Sequence, residues 1–277
     1  MPDIMSPLFV TIEGRRIAYA EVSPSRPKGT ILLLTGLANE RLSWYKQLAV
    51  FGQEYRTIAL DHRDTGDSDP VTRPYRIADL ADDAAVVLRA LSIAKSHIVG
   101  ISMGGFVALE LALRHAEVVD RLVLVSTSAR SLIYALLSPR VLSVLFGNNK
   151  MEPGEQKRRA MSLLMAPGYA ESHPEEMERI AEIGRRERIT KEAYSRQLRA
   201  CLRHDVAKRL GEIQAATLVI HGKNDPGFVV KNGINLARKI PGARLVLHPD
   251  TGHIVNIERA EEFNREVLDF LGQSSPV

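Results

Sequence analysis

The chain is poor in the residues on which several protein classes depend. Its 277 residues include one cysteine, Cys201, and one tryptophan, Trp44. A lone cysteine rules out an internal disulfide and fits a reducing compartment, so a cytoplasmic location is expected. That cysteine and eight scattered histidines form no cluster at zinc spacing, so no metal and no other cofactor is expected. No apolar run approaches the roughly 20 residues of a membrane span. The opening "MPDIMSPLFVTIEG" lacks the basic-then-apolar order of a secretory signal. Basic residues do not run together or interleave with aromatics, and a net charge of +4 is dilute over this length. Neither a specific nucleic acid nor a membrane is therefore an expected partner. Internal repeats at the period of solenoids or propellers are missing too. What remains is 45% hydrophobic and 25% charged, the balance of an ordinary soluble globular protein.

Within that balance, short β-branched runs recur, each closed by turn residues: "TILLLTG" (30–36), "YRTIALD" (55–61), "SHIVG" (96–100), "RLVLVST" (121–127), "ATLVIHG" (216–222) and "ARLVLHP" (243–249). Near-continuous apolar runs of this length suit strands buried on both faces of a parallel sheet. Helical spacing falls between them, at about 40–51, 77–91, 103–115, 229–240 and 258–271. Alternation of this kind builds βαβ units with right-handed crossovers. "FVTIEGRRIAYAEV" (9–22) turns at Glu13-Gly14 and reads as an antiparallel hairpin at the sheet edge. The expected fold is α/β, a mostly parallel twisted sheet of about eight strands with helices on both faces.

From about 128 to 208 the alternation stops. This stretch is charge-dense and helix-prone, and Pro139, Pro153, Pro167 and Pro174 punctuate it. "MEPGEQKRRAMSLLMAPG" and "HPEEMERIAEIGRRERI" read as short amphipathic helices. The stretch is far too long for an ordinary crossover. Residues 1–127 and 209–277 are therefore expected to form the core domain, with 128–208 a helical cap over the ends of the strands.

Between the third of those runs and the helix after it stands "HIVGISMGGFVALELALRH" (97–115). Gly100-Ile101-Ser102-Met103-Gly104 fits G-x-S-x-G in the context the motif requires, with a strand before and a helix after. A serine at such a turn takes a strained backbone conformation that exposes its hydroxyl, and side chains two residues away on either side would collide. The following helix points N–H groups at the spot, so the Met103 N–H is placed to hold an oxyanion. The plainer alternative is an N-cap serine in a glycine-rich turn of the kind that binds phosphate.

A serine hydroxyl needs a base, and the base needs an orienting acid. Chain order Ser…Asp…His is the one that accompanies this elbow. "LVIHGKNDPGF" puts Asp225 in the loop after one buried strand, and "LVLHPDTGHIVNIERAEEF" puts His253 in the loop after the next. In a parallel sheet both loops open on the same edge as Ser102. Asp250, three residues before His253, is the rival acid. His97, His221 and His248, in or at the ends of strands, read as structural. A second oxyanion donor belongs in the loop after "TILLLTG", where Gly36 permits close approach and the Leu37 N–H is the candidate.

These residues carry a resemblance. With "TGLANE", "LDHRDTGDSD", "GISMGG", "GKND" and "TGH", the chain resembles the α/β-hydrolase fold superfamily over nearly its full length, and in particular serine esterase-like members with a helical cap. The resemblance implies a Ser102–Asp225–His253 triad, an oxyanion hole from the Leu37 and Met103 amides, and a cap inserted after the sixth strand. It implies that Asp61, Arg63 and Ser68 brace the active-site edge, in a loop where Asp64-Thr65 replaces the commoner Arg-Gly. Thr35-Gly36 stands where His-Gly is usual, a departure at the residue that commonly holds the oxyanion loop. Epoxide hydrolases and dehalogenases of similar fold use an aspartate at the elbow, so the serine favours acyl transfer. The expected activity is hydrolysis of a carboxylic ester, with a small or medium, largely apolar substrate as partner. Carbon–carbon bond hydrolysis, lactonase and cofactor-free haloperoxidase-type activities would use the same triad, and a weakly catalytic ligand receptor is the reading from another class. Leu132, Ile133, Leu136, Leu142, Leu145, Phe146, Leu163, Leu164 and Met165 are candidates to line an acyl or alcohol pocket or to pack the cap. Trp44 reads as core. Monomer and homo-oligomer are equally compatible with the sequence.

Overall fold

The apolar runs become strands covered on both sides in a computed structural model that describes residues 6–131, 139–146, 151–186 and 189–273. Eight strands form one sheet: β1 (Leu8–Ile12), β2 (Arg15–Val22), β3 (Thr30–Leu34), β4 (Arg56–Leu60), β5 (Ser96–Ile101), β6 (Val119–Val125), β7 (Ala216–Gly222) and β8 (Arg244–His248). Their order is β1-β2-β4-β3-β5-β6-β7-β8. The β1–β2 and β2–β4 pairings are antiparallel and every other pairing is parallel. The hairpin turns at Glu13-Gly14, both at positive φ.

The pleat explains the near-continuous hydrophobicity, because successive side chains enter opposite layers. Leu32, Leu34, Ile98, Leu122, Leu124 and Val219 join one core cluster. Their neighbours Ile31, Leu33, Val99, Val123, Val125 and Ile220 join the other. Helices α2 (Ile77–Ala90), α3 (Met103–Arg114) and α9 (Lys231–Lys239) supply the first layer. Helices α1 (Tyr45–Phe51) and α11 (Ala260–Leu271) supply the second. The expected helix at 40–51 begins instead as a 3-10 turn, Arg41–Trp44, where the Arg41 N–H donates to Asp61 Oδ1 at 2.6 Å. A side chain outside the helix thus takes the first amide and tightens the turn.

Between β6 and β7 run α4 (Pro139–Phe146), α5 (Pro153–Leu164), α6 (Tyr169–Ser172), α7 (Pro174–Arg186) and α8 (Lys191–Leu202). An isolated bridge between Arg130 and Asp205 and a 2.9 Å bond from Val206 N to Ala129 O bring the two ends of this stretch together. The chain therefore leaves and re-enters the sheet region at one neck. Met161, Met165, Met177 and Ile180 pack against Ile254 and Ile257, beside the short helix α10 (Val255–Glu258). Among the described residues no helix is long and apolar enough to cross a membrane.

Candidate active site

Because β3, β5, β6, β7 and β8 run the same way, their C-terminal loops meet at one edge of the sheet. Gly100 pairs with Leu34 on one side and Leu124 on the other, so Ser102 emerges from the middle. Its backbone sits at φ +55°, ψ −118°, a region that costs a non-glycine residue about 1–3 kcal/mol. Surrounding contacts enforce it. Ser102 N donates to Val125 O at 3.0 Å, and Thr127 Oγ1 donates to Ser102 O at 2.7 Å. The glycine requirement is steric: a Cβ on Gly100 would lie 2.3 Å from Gly104 O, and one on Gly104 would lie 2.1 Å from Leu34 O.

Two amides are left open beside the serine. Among the described residues neither Met103 N–H, at the start of α3, nor Leu37 N–H donates to a protein acceptor. Gly36 lies close to Ser102, its would-be Cβ 3.5 Å from Ser102 Cβ. Some of the loop's hydrogen bonds are internal, and Gln197 and Lys157 of the inserted helices reach in to Ala38 N and Asn39 Oδ1. Thr35 Oγ1 donates to Asn39 O at 3.1 Å, Asn39 N donates to Gly36 O at 3.2 Å, and Asn39 Nδ2 donates to Leu37 O at 2.9 Å.

On the far side, His253 Nδ1 lies 2.8 Å from Asp225 Oδ2. Asp225 Oδ1 accepts from Gly227 N and Phe228 N at 2.7 and 2.8 Å. Burial alone would raise this carboxyl's pKa, but His253 and the hydrogen bonds from His221 and His253 outweigh it and hold it down at about 2. His253 is 5% exposed, and Ser102 and His253 line the same cavity. Although Ser102 stands at the N-cap of α3, its side chain makes no capping hydrogen bond there. Asp250 is exposed at the tip of a turn with φ +49° and makes no bond to the imidazole.

The structure adds supports that the sequence reading left out. His221, read there as structural, lies 3.3 Å through Nε2 from Asp225 Oδ2 and 2.7 Å from Phe228 O, so it fixes the acid's loop. Glu258 accepts from Gly252 N (2.9 Å), Ile254 N (3.1 Å) and Ala166 N (2.8 Å), gripping the amides on both sides of His253. His253 N itself donates to Leu164 O at 2.8 Å. In the loop at 61–69, Ser68 Oγ donates to Asp61 O at 2.8 Å and accepts from Ala18 N at 2.9 Å. Arg63 grips Asp83 with two bonds of 2.6 and 2.7 Å. Ser68 thus ties the loop to β2 and Arg63 ties it to α2, while the Asp61 side chain holds the Arg41 and Asp67 amides.

The cavity holds about 370 Å³. Apolar side chains from both the sheet edge and the inserted helices line it, among them Leu37, Val141, Leu145, Met161, Leu164, Ile180, Ile183 and Phe228. Of the positions named from sequence, Leu145 and Leu164 face it. Leu142 is 39% exposed, Met165 is buried elsewhere, and Leu163 is absent from the lining. Leu132, Ile133, Leu136 and the Phe146 side chain lie outside the described residues. Trp44 is fully buried in the core yet also borders the cavity.

A sequence profile described as the alpha/beta hydrolase fold matches residues 29–260, and the chain belongs to that family of hydrolases. It is 30% identical over 244 residues to RutD of Agrobacterium fabrum, named a carbamate hydrolase, covering 87% of this chain and 92% of that one. It is 33% identical over 224 residues to the 2-hydroxy-6-oxononadienedioate/2-hydroxy-6-oxononatrienedioate hydrolase of Cupriavidus pinatubonensis, covering 79% and 76%. The crystal structure of the enol-lactonase from Burkholderia xenovorans LB400 superposes with a TM-score of 0.84 at 28% identity, over 96% of this chain and 100% of that one.

Proposed function

We propose that the chain is a serine hydrolase that cleaves the carboxylic ester bond of a small or medium, largely apolar molecule through an acyl-enzyme. One observation carries the reading. A strained serine faces a cavity it shares with a histidine whose Nδ1 is 2.8 Å from a buried, ionised aspartate. Ser102 Oγ attacks the carbonyl carbon while His253 Nε2 takes its proton, and Asp225 holds the Nδ1–H tautomer and stabilises the cation. The carbonyl oxygen's developing charge is met by the Leu37 and Met103 N–H groups. Collapse expels the alcohol with the proton from His253. Water, deprotonated by the same imidazole, then releases the acid.

The inserted helices act as a cap, and their apolar side chains select the acyl or alcohol group by size. A cyclic ester is the second reading, favoured by the likeness to an enol-lactonase over the whole of that chain. We assign the protein to the cytoplasm on its single, buried cysteine.

The test is turnover by parent and Ser102→Ala on p-nitrophenyl esters of graded acyl length and on simple γ- and δ-lactones. Saturable ester turnover that falls about 10⁴-fold or more in the variant supports the reading. A parent that turns over lactones alone moves the assignment to the cyclic ester. No turnover of either class, or an active Ser102→Ala, overturns both.

A further inference from the structure

We infer that Gln197, on the inserted helix α8, is a positioning residue for the oxyanion hole, and that Arg196 beside it seats the helix for that task. The inference rests on the serine-hydrolase reading above. It starts from the peptide planes of the loop after β3. In a trans peptide the C=O and N–H point in opposite directions. Gly36 O accepts from Asn39 N, so the Leu37 N–H of the same peptide points away from Asn39. The next peptide must hold still for that aim to last. Its oxygen, Leu37 O, accepts from Asn39 Nδ2 at 2.9 Å, and its nitrogen, Ala38 N, donates to Gln197 Oε1 at 3.0 Å.

Local sequence cannot supply the Gln197 contact, which holds the Ala38 N–H itself, while Lys157 of α5 holds the loop further on at Asn39 Oδ1. The Gln197 contact spans 159 residues and joins the inserted helices to the catalytic edge. Ala38 sits at φ +59°, a conformation that a non-glycine residue keeps only when its surroundings hold it. Gln197 is fully buried, and because Ala38 N is a donor, only the amide oxygen can face it. That choice leaves Gln197 Nε2 buried and without a partner among the described residues, a standing cost that packing alone would avoid by using an apolar side chain.

Arg196 explains how α8 reaches this position. Its Nε and Nη2 both lie 2.9 Å from the Asp64 carboxylate, which is fully buried and also accepts from Val71 N at 2.8 Å. Asp64 is at φ +72°. Two adjacent residues of α8 thus serve two loops of this edge: Arg196 docks on Asp64, and Gln197 thereby reaches the peptide that aims the Leu37 N–H. The oxyanion hole is complete only while α8 is seated.

Gln197→Met keeps the shape and removes the acceptor. Trading one unpaired buried group for another, it should leave the melting temperature within about 4 °C of the parent. On p-nitrophenyl butyrate, kcat should fall about 10- to 100-fold with KM within about twofold, the mark of an interaction made in the transition state. An alkyl trifluoromethyl ketone reports the hole directly, since Ser102 Oγ bonds to its carbonyl carbon, the π pair moves to oxygen and the hydroxyl proton passes to His253. Its affinity should drop by the same factor as kcat/KM. Should the Met variant fail to fold, Asp64→Asn decides, because asparagine tolerates the left-handed backbone while losing the ion pair. A folded Asp64→Asn should lose about 3- to 10-fold in kcat at unchanged KM. Parent-like kcat and ketone affinity in folded Gln197→Met, a rise in KM alone, or a parent-like kcat in Asp64→Asn overturns the inference. Ser102→Ala separates the premises: if it stays active, the serine reading has failed; if it is dead while Gln197→Met is normal, the positioning role has.

Discussion

Replacing Asp225 by asparagine changes one atom, and the structure dictates what that atom does. Asp225 Oδ1 accepts two backbone N–H groups, from Gly227 and Phe228 at 2.7 and 2.8 Å, and Oδ2 faces His253 Nδ1 at 2.8 Å. An asparagine has one oxygen and one NH2 to fill these places. With its oxygen toward the two amides it keeps both bonds and turns the NH2 toward His253, at the cost of one donor-to-donor contact with His221 Nε2, 3.3 Å from Oδ2. Flipped, it sets donor against donor twice, at about 1–3 kcal/mol for each buried group left unsatisfied. The first orientation wins. It forces His253 to accept at Nδ1 and carry its proton on Nε2, the nitrogen that must take the serine's proton. The expected loss in kcat is on the order of 10⁴, the magnitude seen for the same exchange in a serine protease triad. Loss of the ionised carboxylate, held down at about 2 in the fold, should also lower stability at neutral pH by about 2 kcal/mol. Asp250→Asn is the control, since Asp250 is exposed at positive φ, where asparagine is equally tolerated; its rate should stay within twofold. The assay is kcat/KM on p-nitrophenyl butyrate with urea denaturation alongside. An Asp225→Asn enzyme within tenfold of the parent, or a large loss in Asp250→Asn, would rule out Asp225 as the acid that orients His253.

Other outcomes follow from the same contacts. Gly104→Ala sets a methyl 2.1 Å from Leu34 O, backbone against backbone, and should lower stability by about 3 kcal/mol or more; a urea midpoint matching the parent's would contradict this. Burial holds His62 and His204 at about 4, below an unfolded value near 6.5. The unfolded chain therefore binds protons the fold refuses, and stability should fall as pH drops from about 6.5 to about 4, by about 3 kcal/mol per histidine. His204→Phe, whose ring can keep the stack on Phe106 at 4.4 Å, should remove about half of that fall, and an unchanged pH slope would count against it. Ile183→Ala enlarges the cavity from the inserted side, so preference should move toward longer acyl chains by about tenfold while acetate hydrolysis stays within about threefold. A uniform loss across chain lengths would mark Ile183 as packing.

The strand runs were legible because burial on both faces leaves little room for polar residues. Their order then settled which loops share an edge, so the meeting of Ser102, Asp225 and His253 there could be read before any coordinates. Gly100 and Gly104 were legible for the same local reason, a turn too tight for a Cβ. The supports were not. Gln197 to Ala38, Arg196 to Asp64 and Glu258 to Ala166 cross 159, 132 and 92 residues, and such contacts leave no spacing for a sequence to display. His221 looked like any strand histidine because its partner is set by how the Asp225 loop folds back. Cavity-facing positions misled for a similar reason: amphipathic spacing shows that α5 has an apolar face, but not whether Leu163 or Leu164 turns toward the substrate.

Acylation of Ser102 is open to covalent trapping. The intact protein would be treated with an alkyl fluorophosphonate, digested, and the modified peptide sequenced by mass spectrometry. One adduct is expected, on Ser102, formed in step with loss of ester turnover, missing in Ser102→Ala and strongly slowed in His253→Ala. An adduct on another residue, or full turnover with Ser102 blocked, would contradict acylation at Ser102.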